Sequence, residues 1–306
     1  MKKVKVITEH QQPEFVVENR KYIKRLQRQL SKSEYWSLLW PSCDFRPKIV
    51  GISLVKNEDV NFFYGIKNVI HLCDRIYILD NHSKDNTYNI ARQLQKRYPS
   101  KIRLSKIDDP LTSGVVLEKY INTNTWILRL DGDEIIDPYG FERVRQKIIN
   151  DEWKNYHRIN AAYLHCTLID YRRKIAQGYL DHVGHATLYN FNSILSWEQN
   201  ERLHGKNLVL KEGYDGESAD LRLKDEDKNI LRWEYSYFRA IHACFTKRSK
   251  LESPSANPRV VPWVDKLYEV VITDGKIEKI QYKSCAKDRY RTGQVYERGI
   301  KNFIEQ

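Results

Sequence analysis

The feature that most constrains this chain is an alternation between residues 48 and 130, where short β-rich runs that end in polar residues give way to stretches of helical periodicity. The runs are KIVGISLV (Lys48–Val55), RIYIL (Arg75–Leu79), KIRLSK (Lys101–Lys106) and WILRL (Trp126–Leu130). Helical candidates lie between them at Asp59–Leu72, Thr87–Arg97 and Leu111–Ile121. A parallel strand pair needs a long, right-handed crossover, so this pattern predicts βαβ units. The expected fold class is α/β, a Rossmann-like mostly parallel sheet flanked by helices.

After about residue 150 the alternation weakens, and strand-like pieces (AAYLHCTLID, HATLYNF) mix with aromatic-rich loops. This predicts a mixed C-terminal region. LYEVVITDGKIEKIQY places Asp274-Gly275 between two β runs, a hairpin signal because a type I′ turn needs positive φ at both centres. The last twenty residues read as a basic helix. The expected boundaries are a helical extension over 1–46, an α/β domain over 47–250 divided near 150, and a hairpin and helix over 251–306.

With 306 residues, 41% of them hydrophobic and 30% charged, the chain can bury one substantial core and is neither a disordered polymer nor a membrane protein. No apolar run approaches the roughly 20 residues of a membrane span, and MKKVKVITEHQQPEF lacks the apolar stretch of a secretory signal. The five cysteines, Cys43, Cys73, Cys166, Cys244 and Cys285, are scattered without a CxxC pair, as in reduced cytoplasmic proteins. The net charge of +12 calls for an anionic partner. Without helix-turn-helix or zinc-finger spacing, a phosphorylated substrate fits better than nucleic acid. The stretch Glu18–Leu30 gathers Tyr22, Ile23 and Leu26 on one side of a basic helix, which suits packing on the core or peripheral contact with an anionic membrane.

In an open parallel sheet, ligands bind beyond the carboxyl ends of the strands. The loops there are Ser53–Glu58 (SLVKNE), Asp80–Asn86 (DNHSKDN) and Asp131-Gly132-Asp133-Glu134. Three carboxylates in four residues repel one another unless a cation neutralises them, and Mg²⁺ or Mn²⁺ commonly combines one or two carboxylates with substrate phosphates. A solvated acidic turn is the alternative.

SLVKNE, ILDNHSKDNT and WILRLDGDE, in that order and spacing, resemble family 2 glycosyltransferases of the GT-A fold, with the match running from Lys48 to Asp137. The resemblance implies transfer of a sugar from a nucleotide-diphosphate sugar, UDP-linked above all, to a hydroxyl of a glycan or glycoconjugate acceptor. It assigns residues 47–150 to the nucleotide-sugar and 151–250 to the acceptor. It implies that Asp80 contacts the nucleobase, that Ser53 and Glu58 line the nucleotide, and that Asp131-Gly132-Asp133 is a DxD motif. Asp131 then approaches the ribose, and Asp133 binds a divalent metal, Mn²⁺ or Mg²⁺. Where the family reads Asp-Gly-Ser this chain has Asn81-His82-Ser83, so His82 occupies a glycine-like position. SGVVLEKYINTNT replaces the family's arginine- and glycine-rich segment.

Inversion at the anomeric carbon needs a base on the acceptor side. LSWEQNERLHGKN offers Glu201 first, then Glu198 and His204, with Asp170 and Asp181 as more distant choices. His242, in YFRAIHACFTKRSK, faces either the core or the metal, and the resemblance implies a third metal ligand beside Asp131 and Asp133. His182 and His185 are expected to border a sugar, and Trp197, Trp233, Tyr235 and Tyr237 fall in the acceptor half, where rings suit sugar faces. Three other readings stay open. They are a retaining transferase, a nucleotidyltransferase, whose Gly-rich phosphate loop SLVKNED lacks, and a non-catalytic carbohydrate-binding protein.

Overall fold

The computed structural model describes residues 46–180, 185–197, 203, 208–220, 233, 236, 238–251, 268–273, 276–281 and 295–305. The helix expected at 18–30 lies outside them. Strands β1 (Lys48–Val55), β2 (Arg75–Asp80), β3 (Ile102–Lys106) and β4 (Thr125–Arg129) pair in parallel in the order β3-β2-β1-β4. The chain therefore steps outward from β1 through β2 and β3 and returns to the far side of β1. The order reverses between β1 and β4, the place where open α/β sheets bind ligands.

Helices α1 (Phe62–Val69) and α2 (Thr87–Arg97) form the first two crossovers. Helix α1 is shorter than the expected Asp59–Leu72 because Asp59 is engaged elsewhere. Its amide donates to Asp85 Oδ2 at 3.2 Å, and its Oδ1 accepts the Lys250 amide at 2.8 Å. The third crossover, Pro110–Tyr120, is 3₁₀ rather than α. Gly114 and the β-branched Thr112, Val115 and Val116 are poor α-helix formers, which accounts for the difference.

Strand alternation splits the core. Ile49, Val55, Ile76, Ile78, Trp126 and Leu128 pack on one face with Phe62 and Ile66, while Val50, Ile52, Tyr77, Leu79 and Ile127 pack on the other with Leu117. Beyond β4 the sheet turns antiparallel, as the mixed C-terminal region predicts. β8 (His185–Asn190) pairs with β4, β6 (Tyr156–Asp170) with β8, and β7 (Ile175–Leu180) with β6. β11 (Asp215–Asp220) and β12 (Arg239–His242) join β6 in parallel, and β5 (Glu134–Ile136) runs antiparallel to β12. The expected hairpin is present as β13 (Tyr268–Thr273) and β14 (Lys276–Gln281), and a second one joins β9 (Ile194–Trp197) to β10 (Leu208–Leu210).

Two further elements depart from the sequence pattern. Helix α3 (Pro138–Ile149) starts at Asp137, whose Oδ1 accepts the Tyr139 and Gly140 amides at 3.1 and 3.3 Å, with Pro138 at the first helical position. The basic helix expected over the last twenty residues is confined, among the described residues, to α4 (Lys301–Ile304), because β15 (Val295–Gly299) pairs with β7 instead. Ile300 and Phe303 then pack with Ile135, Leu164 and Trp233. Buried Asn68 of α1 ties this segment down, its Nδ2 donating to the carbonyls of Ile136 at 2.9 Å and Phe303 at 2.8 Å. Among the described residues, no helix is long and apolar enough to cross a membrane.

Candidate functional site

The loops that follow β1 and β2 are knitted together by their own polar residues. Asn57 donates its amide to Ser83 Oγ at 3.0 Å and accepts the Lys84 amide at 2.7 Å, while the Glu58 amide donates to Thr87 Oγ1 at 2.7 Å. Asn57 and His82 both hold positive φ, 53° and 50°. His82 thus adopts the left-handed conformation that glycine favours, and its Nε2 lies 2.6 Å from Asp108 Oδ1.

Inside this frame Ser53 and Asp80 are fully buried, one strand apart, on β1 and at the end of β2. Asp80 Oδ2 accepts the Ser83 amide at 3.2 Å. Asp80 Oδ1, Ser53 Oγ and Glu58 Oε2, however, are buried without a hydrogen-bond partner. An unsatisfied buried polar atom costs about 1–3 kcal/mol, so three at the end of one strand pair call for a ligand, ion or water.

Across the order reversal, Gly132 abuts Glu58. A Cβ on Gly132 would stand 1.6 Å from Glu58 Oε2 and 3.0 Å from Val55 Cγ1. Glycine here lets the loop after β4 close onto the loop after β1. The Asp131–Glu134 turn is closed by the Glu134 amide donating to the Asp131 carbonyl at 3.0 Å, and Glu134 Oε2 accepts the Asp131 amide at 3.1 Å.

The carboxylates of this turn have separate environments. Glu134 is buried 3.5 Å from Arg129 Nη2, and its carboxyl is pushed up to about 7. Burial dominates that rise, Arg129 opposes it, and Asp131 and Asp133 add to it. Arg129 itself is held above its ordinary range. Burial disfavours its charge, and Asp131 and Glu134 more than offset that.

Asp133 is brought to His242 by strand pairing. β5 and β12 place Glu134 opposite His242, and the Ala243 amide donates to the Asp133 carbonyl at 2.8 Å. Asp133 Oδ2 then lies 3.5 Å from His242 Nε2 and 3.3 Å from Arg248 Nε. Arg248 also pairs with Glu58, so one guanidinium links the loops after β1 and β4. Burial would depress His242, but Cys244 and Asp133 together raise its pKa well above the usual range.

Five sequence-predicted residues, Ser53, Glu58, Asp80, Gly132 and Asp133, therefore gather at the ends of β1, β2 and β4, with Asp131 in the same turn and His242 joining them from β12. Trp197 and Trp233 are buried core rings, Trp197 with Phe191 and Leu203 and Trp233 stacked on Phe303. Glu198, Glu201, His204, His182, Asp181, Tyr235 and Tyr237 lie outside the described residues. Asp170 caps a turn at the far end of β6, accepting the Arg172 and Arg173 amides at 3.0 and 2.9 Å. Sequence reasoning placed Glu134 in the acidic turn without its partner, and missed Arg129 and Arg248. The basic run KRSK after His242 is the signal that points to Arg248, whereas the Arg129–Glu134 pair becomes visible only once β4 and the turn are folded.

No family model and no curated protein sequence matches the chain. Among solved structures, S. aureus TarS 1–349 in complex with UDP is similar at 14% identity and a TM-score of 0.31, covering 47% of each chain. Mannose-6-phosphate isomerase from Helicobacter pylori is similar at 16% identity and a TM-score of 0.26, covering 42% of this chain and 55% of that one. This chain spans about half the length of both, and overlays this shallow carry no argument about activity.

Proposed function

We propose that this chain is a metal-dependent glycosyltransferase that binds a nucleotide-diphosphate sugar, UDP-linked above all, at the ends of β1, β2 and β4. The observation that carries the reading is the set of buried, unpartnered atoms Asp80 Oδ1, Ser53 Oγ and Glu58 Oε2 beside the order reversal. Asp80 accepts a nucleobase N–H, Ser53 and Glu58 take ribose or base groups, and Asp131 faces the ribose.

A divalent cation fits the donor set. Two ligands on one ion, each at about 2.1 Å, stand roughly 3 Å apart, close to the 3.5 Å between Asp133 Oδ2 and His242 Nε2. Asp133 and His242 would hold it, with Asp131 on the same turn though not gathered with them into one three-ligand group, and a mixed carboxylate and imidazole pair favours Mn²⁺ over Mg²⁺. Such an ion stabilises the charge that develops on a departing nucleoside diphosphate. Arg248 supplies a fixed positive charge beside it, countering the repulsion that Asp133 and Glu58 exert on phosphates.

The acceptor half is proposed to be residues 151–250, with 1–46 and 251–306 as appendages, and Glu201, or Glu198 behind it, as the base of an inverting transfer to a glycan hydroxyl. A cytoplasmic location, with peripheral membrane contact through the basic stretch 18–30, is part of the same proposal. The test is hydrolysis of UDP-, GDP- and dTDP-sugars with Mn²⁺ and with EDTA. Turnover of one donor that EDTA abolishes supports the reading, and no turnover of any donor with no donor binding sinks it.

A further inference from the structure

The donor-site reading leaves two metal-binding side chains beside His242, those of His165 and Cys244, without a task. Parallel pairing sets His165 of β6 directly opposite His242 of β12, so the imidazoles are cross-strand neighbours. Cys244 follows two positions after His242, in the turn that ends β12, where the Thr246 amide donates to the Ala243 carbonyl at 3.1 Å. As a result His165 Nδ1 lies 3.1 Å from His242 Nδ1 and 3.8 Å from Cys244 Sγ. All three ligand atoms fall within 4.8 Å of one another.

Those spacings can be compared with what a tetrahedral ion imposes. Zinc binds imidazole nitrogen at about 2.0–2.1 Å and thiolate sulfur at about 2.3 Å, so neighbouring ligands stand roughly 3.3 Å apart for two nitrogens and roughly 3.6 Å for nitrogen and sulfur. The His165–His242 and His165–Cys244 separations each lie about 0.2 Å from those values, and the third pair falls within 4.8 Å. Thiolate and imidazole together select zinc over magnesium or manganese. His165 is fully buried and Cys244 nearly so, so the donors are held by the sheet.

We propose that His165, His242 and Cys244 form a site for a thiophilic divalent cation such as Zn²⁺, separate from the carboxylates of Asp131 and Asp133. The fourth position is open to water. Binding releases the Cys244 thiol proton. The site uses His242 through Nδ1, whereas Asp133 faces Nε2. A neutral imidazole has one lone pair, so His242 serves one metal at a time. This last point alone rests on the donor-site reading.

The test is titration of chelator-stripped, full-length protein with Co²⁺ alone. The expected result is one equivalent bound with a thiolate-to-cobalt charge-transfer band and tetrahedral d–d bands, bleached by Zn²⁺. Cys244→Ser abolishes the charge-transfer band, and His165→Asn weakens cobalt binding by at least roughly tenfold, as loss of a ligand demands. Asp133→Asn keeps the band, so failure of the donor-site reading and failure of this one are told apart. In the wild type, Zn²⁺ slows alkylation of Cys244 as mapped by mass spectrometry, which needs no substitution. Absence of the thiolate band, its survival in Cys244→Ser, or alkylation of Cys244 indifferent to Zn²⁺ overturns the proposal.

Discussion

A methyl group on Gly132 would collide with the carboxylate of Glu58, 1.6 Å from Oε2. The contact spans the order reversal between β1 and β4, and it makes a residue without a side chain part of the candidate donor site.

Gly132→Ala is therefore expected to lower stability by about 1–3 kcal/mol, the cost of overpacking, and to displace Glu58 from its buried position. Adding Glu58→Ser relieves the clash but removes the Glu58–Arg248 ion pair, so the double variant should lose less stability than the two single losses sum to, without regaining donor hydrolysis. Independent, additive effects in that double-mutant cycle would mean the contact has been misassigned.

Asp133→Asn is expected to keep the fold, because the amide preserves shape, while abolishing EDTA-sensitive turnover through loss of the anionic ligand. Activity measured beside thermal melting checks it. Near-normal turnover would remove Asp133 from the metal site.

Asp80→Ala should raise the donor KM more than it lowers kcat. A nucleobase contact is made alike in ground and transition states, and its loss costs uniform binding. Steady-state kinetics decides, and a lowered kcat at unchanged KM contradicts the assignment.

For the base, Glu201→Gln should retain binding of UDP-sugar and Mn²⁺ while transfer falls by roughly 10² to 10⁴. Glu198→Gln and His204→Ala run beside it separate the candidates in LSWEQNERLHGKN. If all three transfer at wild-type rates, either the base lies elsewhere or the reaction retains configuration.

Away from the site, His157 imposes a pH dependence on stability. Burial depresses its pKa from 6.5 to about 4, with Arg158 assisting. Ser193 Oγ donates to the Asn190 carbonyl at 2.6 Å, so His157 Nδ1–H donates to Ser193 Oγ at 2.9 Å and the ring is neutral. Between those two pKa values the unfolded chain takes up a proton that the folded ring refuses. This contribution is complete above about pH 6.5 and is lost as pH falls toward 4. His157→Asn, which keeps a donor and does not titrate, should flatten the fall in melting temperature over that window. An unchanged slope would assign it to other groups.

Much of the parallel half was legible because each of its strands is a compact β-rich run closed by polar residues. Ser53, Asp80 and Asp133 could be placed on one rim from strand ends alone. His242 was harder, since the same apolar flanks serve a core histidine. What decides its position is the pairing of β12 with β5, a contact between residues more than a hundred positions apart that leaves no periodic trace. Helix α3 was not among the expected elements, although Asp137-Pro138 is a strong start signal. The 3₁₀ crossover and β15 show tertiary pairing and β-branched residues overriding a loosely helical pattern.

The amide of Asn68 has a consequence for the timing of assembly. Strands β1 to β4 are complete once residue 129 has been synthesised, and every pairing among them lies within residues 48–129. The carbonyl of Phe303, which accepts from Asn68, arrives 235 residues later, and β15 closes the outer edge of β7 only with it. A chain emerging from the ribosome can thus form its parallel half early, in the N-terminal-first order usual for synthesis. Until residues 295–303 follow, one face of α1 and the free edge of β7 stay uncovered, and in that interval a growing chain relies on chaperones or speed.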